Sequence, residues 1–421
     1  MSDHGDVSDD EGRTAPWWGT TSGSVQAEGA APASTWARWE DLGRAPRSGE
    51  GNAFLTNHGR DLPMLAELGI GHHRLTIEWA RIEPRQGQLD GDAVDAYTEI
   101  LRTARANGIA VWAELCHGTL PGWFADDEHG FTDERARTYF WARHVDRLAE
   151  LYHELVAGWV PIHSPLGFAV HGWQLGDRPP GRRDDEGFAE SLRAVRLAEL
   201  DAWRLLRSGD QPVATAVDVS LSEPAVRTRE PDERDAASQR ARARTELVLD
   251  SWVEGLRDGV LRVPGLAPRE VPDLAGAFDV IGFVYEDARS VYADGSVGPY
   301  PADARVSADG TAPWAEGLGV VLRVLHDALP KRRFLPEVSV ATEATDPLQD
   351  EWREELLRAW GGEVDRAVDD GIDVVGCFHD TLVDGYEWGA GFAVQRGIVD
   401  RDRRLKPSAT VLGDLARRAR R

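Results

Sequence analysis

Side chains able to do chemistry recur just after short apolar runs of this 421-residue chain. Gln26 follows the first run, Arg74 and Glu78 belong to the second, His117 ends the third, and His163 and Ser164 close the fourth. Tyr285 and Glu286 end a later run, Glu343 another, and His379, Asp380, Glu387 and Trp388 follow the last. Carboxylates, imidazoles, an amide and an indole together suit a polyhydroxylated ligand. Carboxylates move protons or attack carbon, and the other groups read hydroxyls. Each residue also has a quieter reading. Arg74 is then a structural arginine paired to an acid, His117 an imidazole satisfied by backbone, and Glu343 a solvated loop carboxylate. Only convergence of the set on one face gives it chemical meaning.

Other chemistries find less support. His72, His73, His117, His163 and His379 are scattered, without HExxH or CxxC spacing, and the only cysteines are Cys116 and Cys377, so no metal is expected. No GxSxG elbow is present for a serine nucleophile. The loop Gly19-Thr-Thr-Ser-Gly23 lacks the glycine spacing of a phosphate cradle, and no motif implies a cofactor.

The elements that must position these residues alternate in type. Extended runs are expected at residues 17–24, 73–77, 108–116, 158–163, 212–219, 278–285, 333–342 and 373–378. Helical patterns are expected at 60–68, 92–107, 133–156, 187–207, 245–259, 314–328, 351–370 and 408–418. Eight strands alternating with helices call for a parallel sheet, and over about 400 residues they favour a single (β/α)8 TIM barrel, with an open doubly wound sheet as the alternative. In such a barrel the strand ends share one rim. Residues 1–14 are expected to be a disordered tail, 15–421 the barrel, and the charge-dense stretch near 227–244 a surface insertion.

Composition narrows the partners. With 72 acidic against 48 basic residues the formal charge is −24, which argues against nucleic acid and against an anionic membrane surface. No apolar run approaches 18 residues, and the N-terminus lacks the basic and apolar parts of a signal peptide, so a cytoplasmic protein is expected. Oligomeric state is left open. Sixteen tryptophans against 11 phenylalanines and 7 tyrosines read either as core packing or as sugar-stacking surfaces.

Six motifs in order resemble glycoside hydrolase family 1, the β-glucosidase-type retaining enzymes, across nearly the whole chain. They are Trp18-Gly-Thr-Thr-Ser-Gly-Ser-Val-Gln26-Ala-Glu-Gly29, His73-Arg-Leu-Thr-Ile-Glu-Trp79-Ala-Arg81-Ile82, His117-Gly-Thr-Leu-Pro121, Trp159-Val-Pro-Ile-His163-Ser-Pro165, Phe334-Leu-Pro-Glu-Val-Ser-Val-Ala-Thr342-Glu343-Ala344, and Gly376-Cys-Phe-His-Asp380-Thr-Leu-Val-Asp384-Gly-Tyr-Glu387-Trp388. The resemblance implies that Glu343 is the nucleophile and that Arg74 keeps it ionised. It implies that Gln26, His117, Glu387 and Trp388 bind hydroxyls of the innermost sugar, and that the ligand is a small-molecule glycoside or oligosaccharide.

The departures fall on the chemistry. Ser164 stands at the family's acid/base glutamate, and His163 stands at the asparagine before it. Glu286 stands at the tyrosine that touches the nucleophile, unless a one-residue slip restores Tyr285. Gly118 and Asp380 replace sugar-lining tryptophans, and Ala344 replaces the asparagine after the nucleophile. Two functions are therefore expected in competition. One is retaining hydrolysis of activated, thio- or ordinary O-glycosides with an impaired or rerouted proton transfer, for which His163 and Glu286 are the candidate donors. The other is a catalytically inactive sugar-binding or regulatory protein on the same barrel. The retained polar rim argues against a third reading, a purely structural protein.

Overall fold

Eight parallel strands form the centre of the protein. The computed structural model describes residues 15–227, 231–343 and 350–419. The strands are β1 (Trp17–Ser22), β2 (His72–Thr76), β3 (Ala110–Glu114), β4 (Gly158–Val160), β5 (Val217–Pro224), β6 (Ile281–Val291), β7 (Phe334–Val338) and β8 (Gly376–His379). Their pairing runs β4-β3-β2-β1-β8-β7-β6-β5. Parallel bridges from Trp159 to Val213 and from His163 to Ala216 join the two ends of that order. The ring is a (β/α)8 TIM barrel. Helices including α1 (Phe54–Glu67), α2 (Gly91–Ala106), α3 (Ala142–Tyr152), α4 (Asp185–Leu206), α5 (Pro231–Thr245), α6 (Ser251–Asp258), α7 (Ala315–Ala328), α8 (Glu351–Asp369) and α9 (Pro407–Arg418) fall between and after the strands. Local chemistry starts one of them: Asp90 caps α2 by accepting from the Ala93 amide at 3.0 Å. Among the described residues no helix is long and apolar enough to cross a membrane.

Side-chain alternation along the strands makes two cores. Outward residues such as Ile281, Phe283 and Tyr285 of β6 join the large layer between strands and helices. Inward residues, among them Trp112, Val160, Val280, Leu335 and Phe378, fill the barrel floor, with Trp17 packed against them. Glycines face the two indoles because nothing larger fits. A Cβ on Gly158 would lie 2.4 Å from the Trp112 ring, and one on Gly376 would lie 2.3 Å from Trp17. Trp36, Trp79, Trp141, Trp159 and Trp360 are fully buried. Packing thus accounts for much of the tryptophan excess.

One sequence expectation needs correction. The run 333–342 is not one strand: β7 stops at Val338, and Thr342–Glu343 forms a separate pair, antiparallel to Val394–Gln395. Glu343 is exposed there, away from the barrel mouth. The charged stretch near 227–244 is largely helical. Most of it is α5, which packs on β5 through Ala237 and Ala241 and continues through a π-turn into α6. Its charges occupy the exposed face of a barrel helix, which is why the segment reads as low in apolar residues. The expected tail 1–14 and Ala344 lie outside the described residues.

Candidate active site

Alternation decides which strand-end residues enter the mouth. On β7, Leu335 faces the interior, so Glu337 two residues on stands directly above it. On β6, Val280 and Val284 face inward and Glu286 follows them, while Tyr285 turns outward and donates to the Trp314 carbonyl at 2.8 Å. No one-residue slip exists: Glu286, not Tyr285, lines the mouth. There the residues enclose a cavity of about 700 Å³ that Gln26, His117, His163, Ser164, Asp218, Glu286, Glu337, Asp380, Glu387, Trp388 and Arg396 help to line.

The deepest feature is an ion-pair cluster. Arg74 donates from both terminal nitrogens to Glu337, one of them at 3.0 Å, and from Nε to Glu114 at 2.9 Å. All three side chains are about 5% exposed or less. Burial alone would raise the Glu337 carboxyl, but Arg74 and His163 outweigh it and draw the pKa down to about 2. The same balance holds Glu114 well below the usual carboxylate range, through His117 and Arg74. The expected partner of Arg74 was Glu343. The structure gives that place to Glu337, with Glu114 as a second partner.

Two histidines stack beside this cluster. The rings of His117 and His163 are 4.3 Å apart and nearly parallel. His117 bonds Glu114 through Nδ1 at 2.6 Å, and His163 Nε2 lies 3.7 Å from Glu337. Burial lowers the His117 pKa, while for His163 the attraction of Glu114 and Glu337 overcomes burial and raises it. The sequence leaves these histidines scattered, but the ring of strands makes them neighbours. Donor atoms of Glu114, His117 and His163 lie within 4.8 Å of one another. Arg74 already supplies a positive charge to that group, which opposes a cation there.

Polar groups border the other side. Among the described residues buried Gln26 Oε1 has no hydrogen-bond partner, and His163 Nε2 has only Glu337, 3.7 Å away, so both can turn to a ligand. A Cβ on Gly23 would meet Gln26 Oε1 at 2.5 Å and His117 Nε2 at 3.1 Å, so that glycine lets the two approach. Trp388 lies parallel to His117, with the Arg178 guanidinium over it at 4.5 Å. Gly118 takes φ +74°, and a Cβ there would already be 3.5 Å from Trp388.

Arg396, which no strand-end pattern marks, sits among four carboxylates. It contacts Asp309, Glu286 at 3.1 Å, Glu387 at 3.4 Å and Asp380 at 4.0 Å. Burial pushes Glu387 up to about 8 against the pull of Arg396. Asp380 also accepts from Thr21 at 2.8 Å. Two further groups escape the sequence reading. Glu114 sits within a strand motif that reads as structure, and Asp218 lies on a β-branched strand with no motif around it.

The model of glycosyl hydrolase family 1 matches residues 14–419.

The chain belongs to glycosyl hydrolase family 1.

Within that family it is 24% identical to Beta-glucosidase A of Thermotoga maritima, over 91% of both chains. It is 22% identical to Beta-glucosidase 42 of Arabidopsis thaliana, over 88% of this chain and 85% of the relative. A beta-glycosidase from Pyrococcus horikoshii superposes with a TM-score of 0.84 at 25% identity, covering 96% of this chain and 94% of that one. The Thermotoga maritima beta-glucosidase in complex with glucoimidazole has a TM-score of 0.84 at 20% identity, covering 96% and 98%. Family membership accounts for the barrel.

Proposed function

We propose that this protein is a retaining β-glycosidase with Glu337 as nucleophile, acting best on glycosides whose aglycone leaves without strong acid help. One observation carries the reading: a buried carboxylate at the cavity floor, held ionised by the two-pronged grip of Arg74. An anion so prepared can attack an anomeric carbon at neutral pH and form a glycosyl ester. Glu343, exposed on a separate strand pair, has no such environment. Gln26, His117, Glu387 and Trp388 are the hydroxyl-reading groups of this proposal, and His163, beside Glu337, reads the hydroxyl nearest the reacting carbon. That a related glucosidase is named in complex with glucoimidazole supports a hexopyranose in this cavity.

A second reading, a sugar-binding protein without turnover, is favoured by Ser164 and by Arg396, which already occupies Glu387. Incubation with 2,4-dinitrophenyl 2-deoxy-2-fluoro-β-glucoside separates the two. The expected result is a mass increase of one fluorosugar, mapped to the peptide carrying Glu337. Sugar binding without any adduct, across gluco-, galacto-, manno- and fuco-configured probes, would establish the binder instead.

A further inference from the structure

Retention through a glycosyl ester needs a second group to take a proton from water. Five carboxylates besides Glu337 line the cavity. Glu286, Glu387 and Asp380 are gathered on Arg396, and Asp287 pairs with Arg289 at 2.5 Å. Among the described residues Asp218 is the one cavity carboxylate with no cation in ion-pair reach. Its partners are neutral donors: Ser164 Oγ lies 2.7 and 2.6 Å from its two oxygens, and the Gly167 amide is 3.1 Å away. The backbone is shaped to hold this contact. Ser164 takes φ +52°, rare for a residue with a side chain, and a Cβ on Gly167 would lie 2.2 Å from Ser164 Oγ. Ser164 and Glu337 line the same cavity, and Ser164 follows His163, whose Nε2 is 3.7 Å from Glu337, with Asp218 bonded to the serine hydroxyl.

We propose that Asp218 is the proton acceptor of the second half-reaction, reached through the Ser164 hydroxyl. This assignment rests on Glu337 forming the glycosyl ester. In the step, a water oxygen bonds to the anomeric carbon and the ester C–O bond breaks, its electron pair returning to Glu337. The water proton passes to Ser164 Oγ as the serine proton moves to Asp218. The same path in reverse hands a proton to the leaving oxygen in the first half-reaction. A dinitrophenolate needs none. Asp218 is thereby supplied from β5, a different strand from the one that carries Ser164.

The test uses the full chain and 2,4-dinitrophenyl β-glucoside, for which breakdown of the ester limits turnover. Asp218→Asn and Ser164→Ala are each expected to lower kcat by about 10²–10⁴. KM falls with it, so kcat/KM stays within about threefold. Azide, a nucleophile with no proton to lose, restores turnover and yields glucosyl azide. Ser164→Ala gives the same readout if Asp218→Asn does not fold. A kcat within threefold of wild type in a folded variant overturns the proposal. So does an equal fall in kcat and kcat/KM without azide rescue, the signature of a structural role. Failure of the wild-type protein to form the fluorosugar adduct overturns the reading beneath it, and is seen before any variant is made.

Discussion

Arg74 holds Glu337 with both terminal nitrogens across 263 residues of sequence, from the second barrel strand to the seventh. The pair is buried, and a bidentate charge-assisted contact fixes the carboxylate in orientation as well as in charge. Glu337→Gln is accordingly expected to abolish fluorosugar labelling and to lower turnover of dinitrophenyl glycosides by at least about 10³. Glu343→Gln is expected to leave both within twofold. Labelling of the two variants side by side, read by mass spectrometry, checks the assignment, and loss of the adduct only in Glu343→Gln would reverse it.

Removing the cation should cost the fold more than removing its partner. Arg74→Met leaves Glu114 and Glu337 buried and facing each other. Breaking a buried pair in this way typically costs about 3–5 kcal/mol. Denaturant unfolding should show the Arg74→Met loss exceeding that of Glu337→Gln, which keeps a neutral acceptor opposite the guanidinium.

The Arg396 cluster should make stability fall as pH rises from about 4.5 to 8. Glu387 titrates at about 8 when folded, above its ordinary 4.5, so the folded protein holds that proton more tightly. The associated stability is full below about pH 4.5 and drains as pH rises toward 8. Arg396→Gln removes the charge that offsets this. Its destabilisation is expected to be larger at pH 8.5 than at pH 5.5 in urea melts, and equal losses at the two values would contradict the account.

Acid should act through a different residue. His73 is buried against Thr20 and Ser22, at 2.9 and 3.0 Å, and burial lowers its pKa from 6.5 to about 3. Between those values the unfolded chain takes up a proton that the folded protein refuses. Stability therefore falls as pH drops below about 6.5, by about 1.4 kcal/mol per pH unit for one such group. His73→Gln, compared with wild type between pH 4 and 7, should flatten that slope.

Gly282 tests the seam that brings Asp218 and Glu286 together. A Cβ there would stand 1.9 Å from the Thr215 carbonyl oxygen, a backbone atom that cannot turn aside. Gly282→Ala is expected to destabilise the protein by about 2 kcal/mol or more, the upper half of the roughly 1–3 kcal/mol range for overpacking. Thermal melts would show it, and an unchanged melting temperature would mean that the seam is looser than it looks.

Much of this molecule is legible without coordinates. Strand–helix alternation and six ordered motifs identify the barrel, and strand ends such as Gln26, Arg74, His117, His163, Ser164, Glu387 and Trp388 do reach one mouth, because a closed parallel ring presents all its strand ends on one side. The errors come where a strand ends and where a contact is long-range. Residues 333–342 carry a continuous β-type pattern, so nothing local says that the chain leaves the barrel after Val338. That boundary alone decides that Glu337, not Glu343, stands at the cavity against Arg74. Tyr285 and Glu286 are adjacent and both plausible until alternation from Val284 places one outside and the other inside. Asp218, Asp309 and Arg396 carry no motif, since their meaning lies in what stands opposite them. The sequence determines that charged and polar groups share a rim, through a periodicity that each strand carries on its own. Only the closed ring decides which carboxylate Arg74 grips and which one Ser164 touches, because those pairings are distances between strands that no single segment encodes.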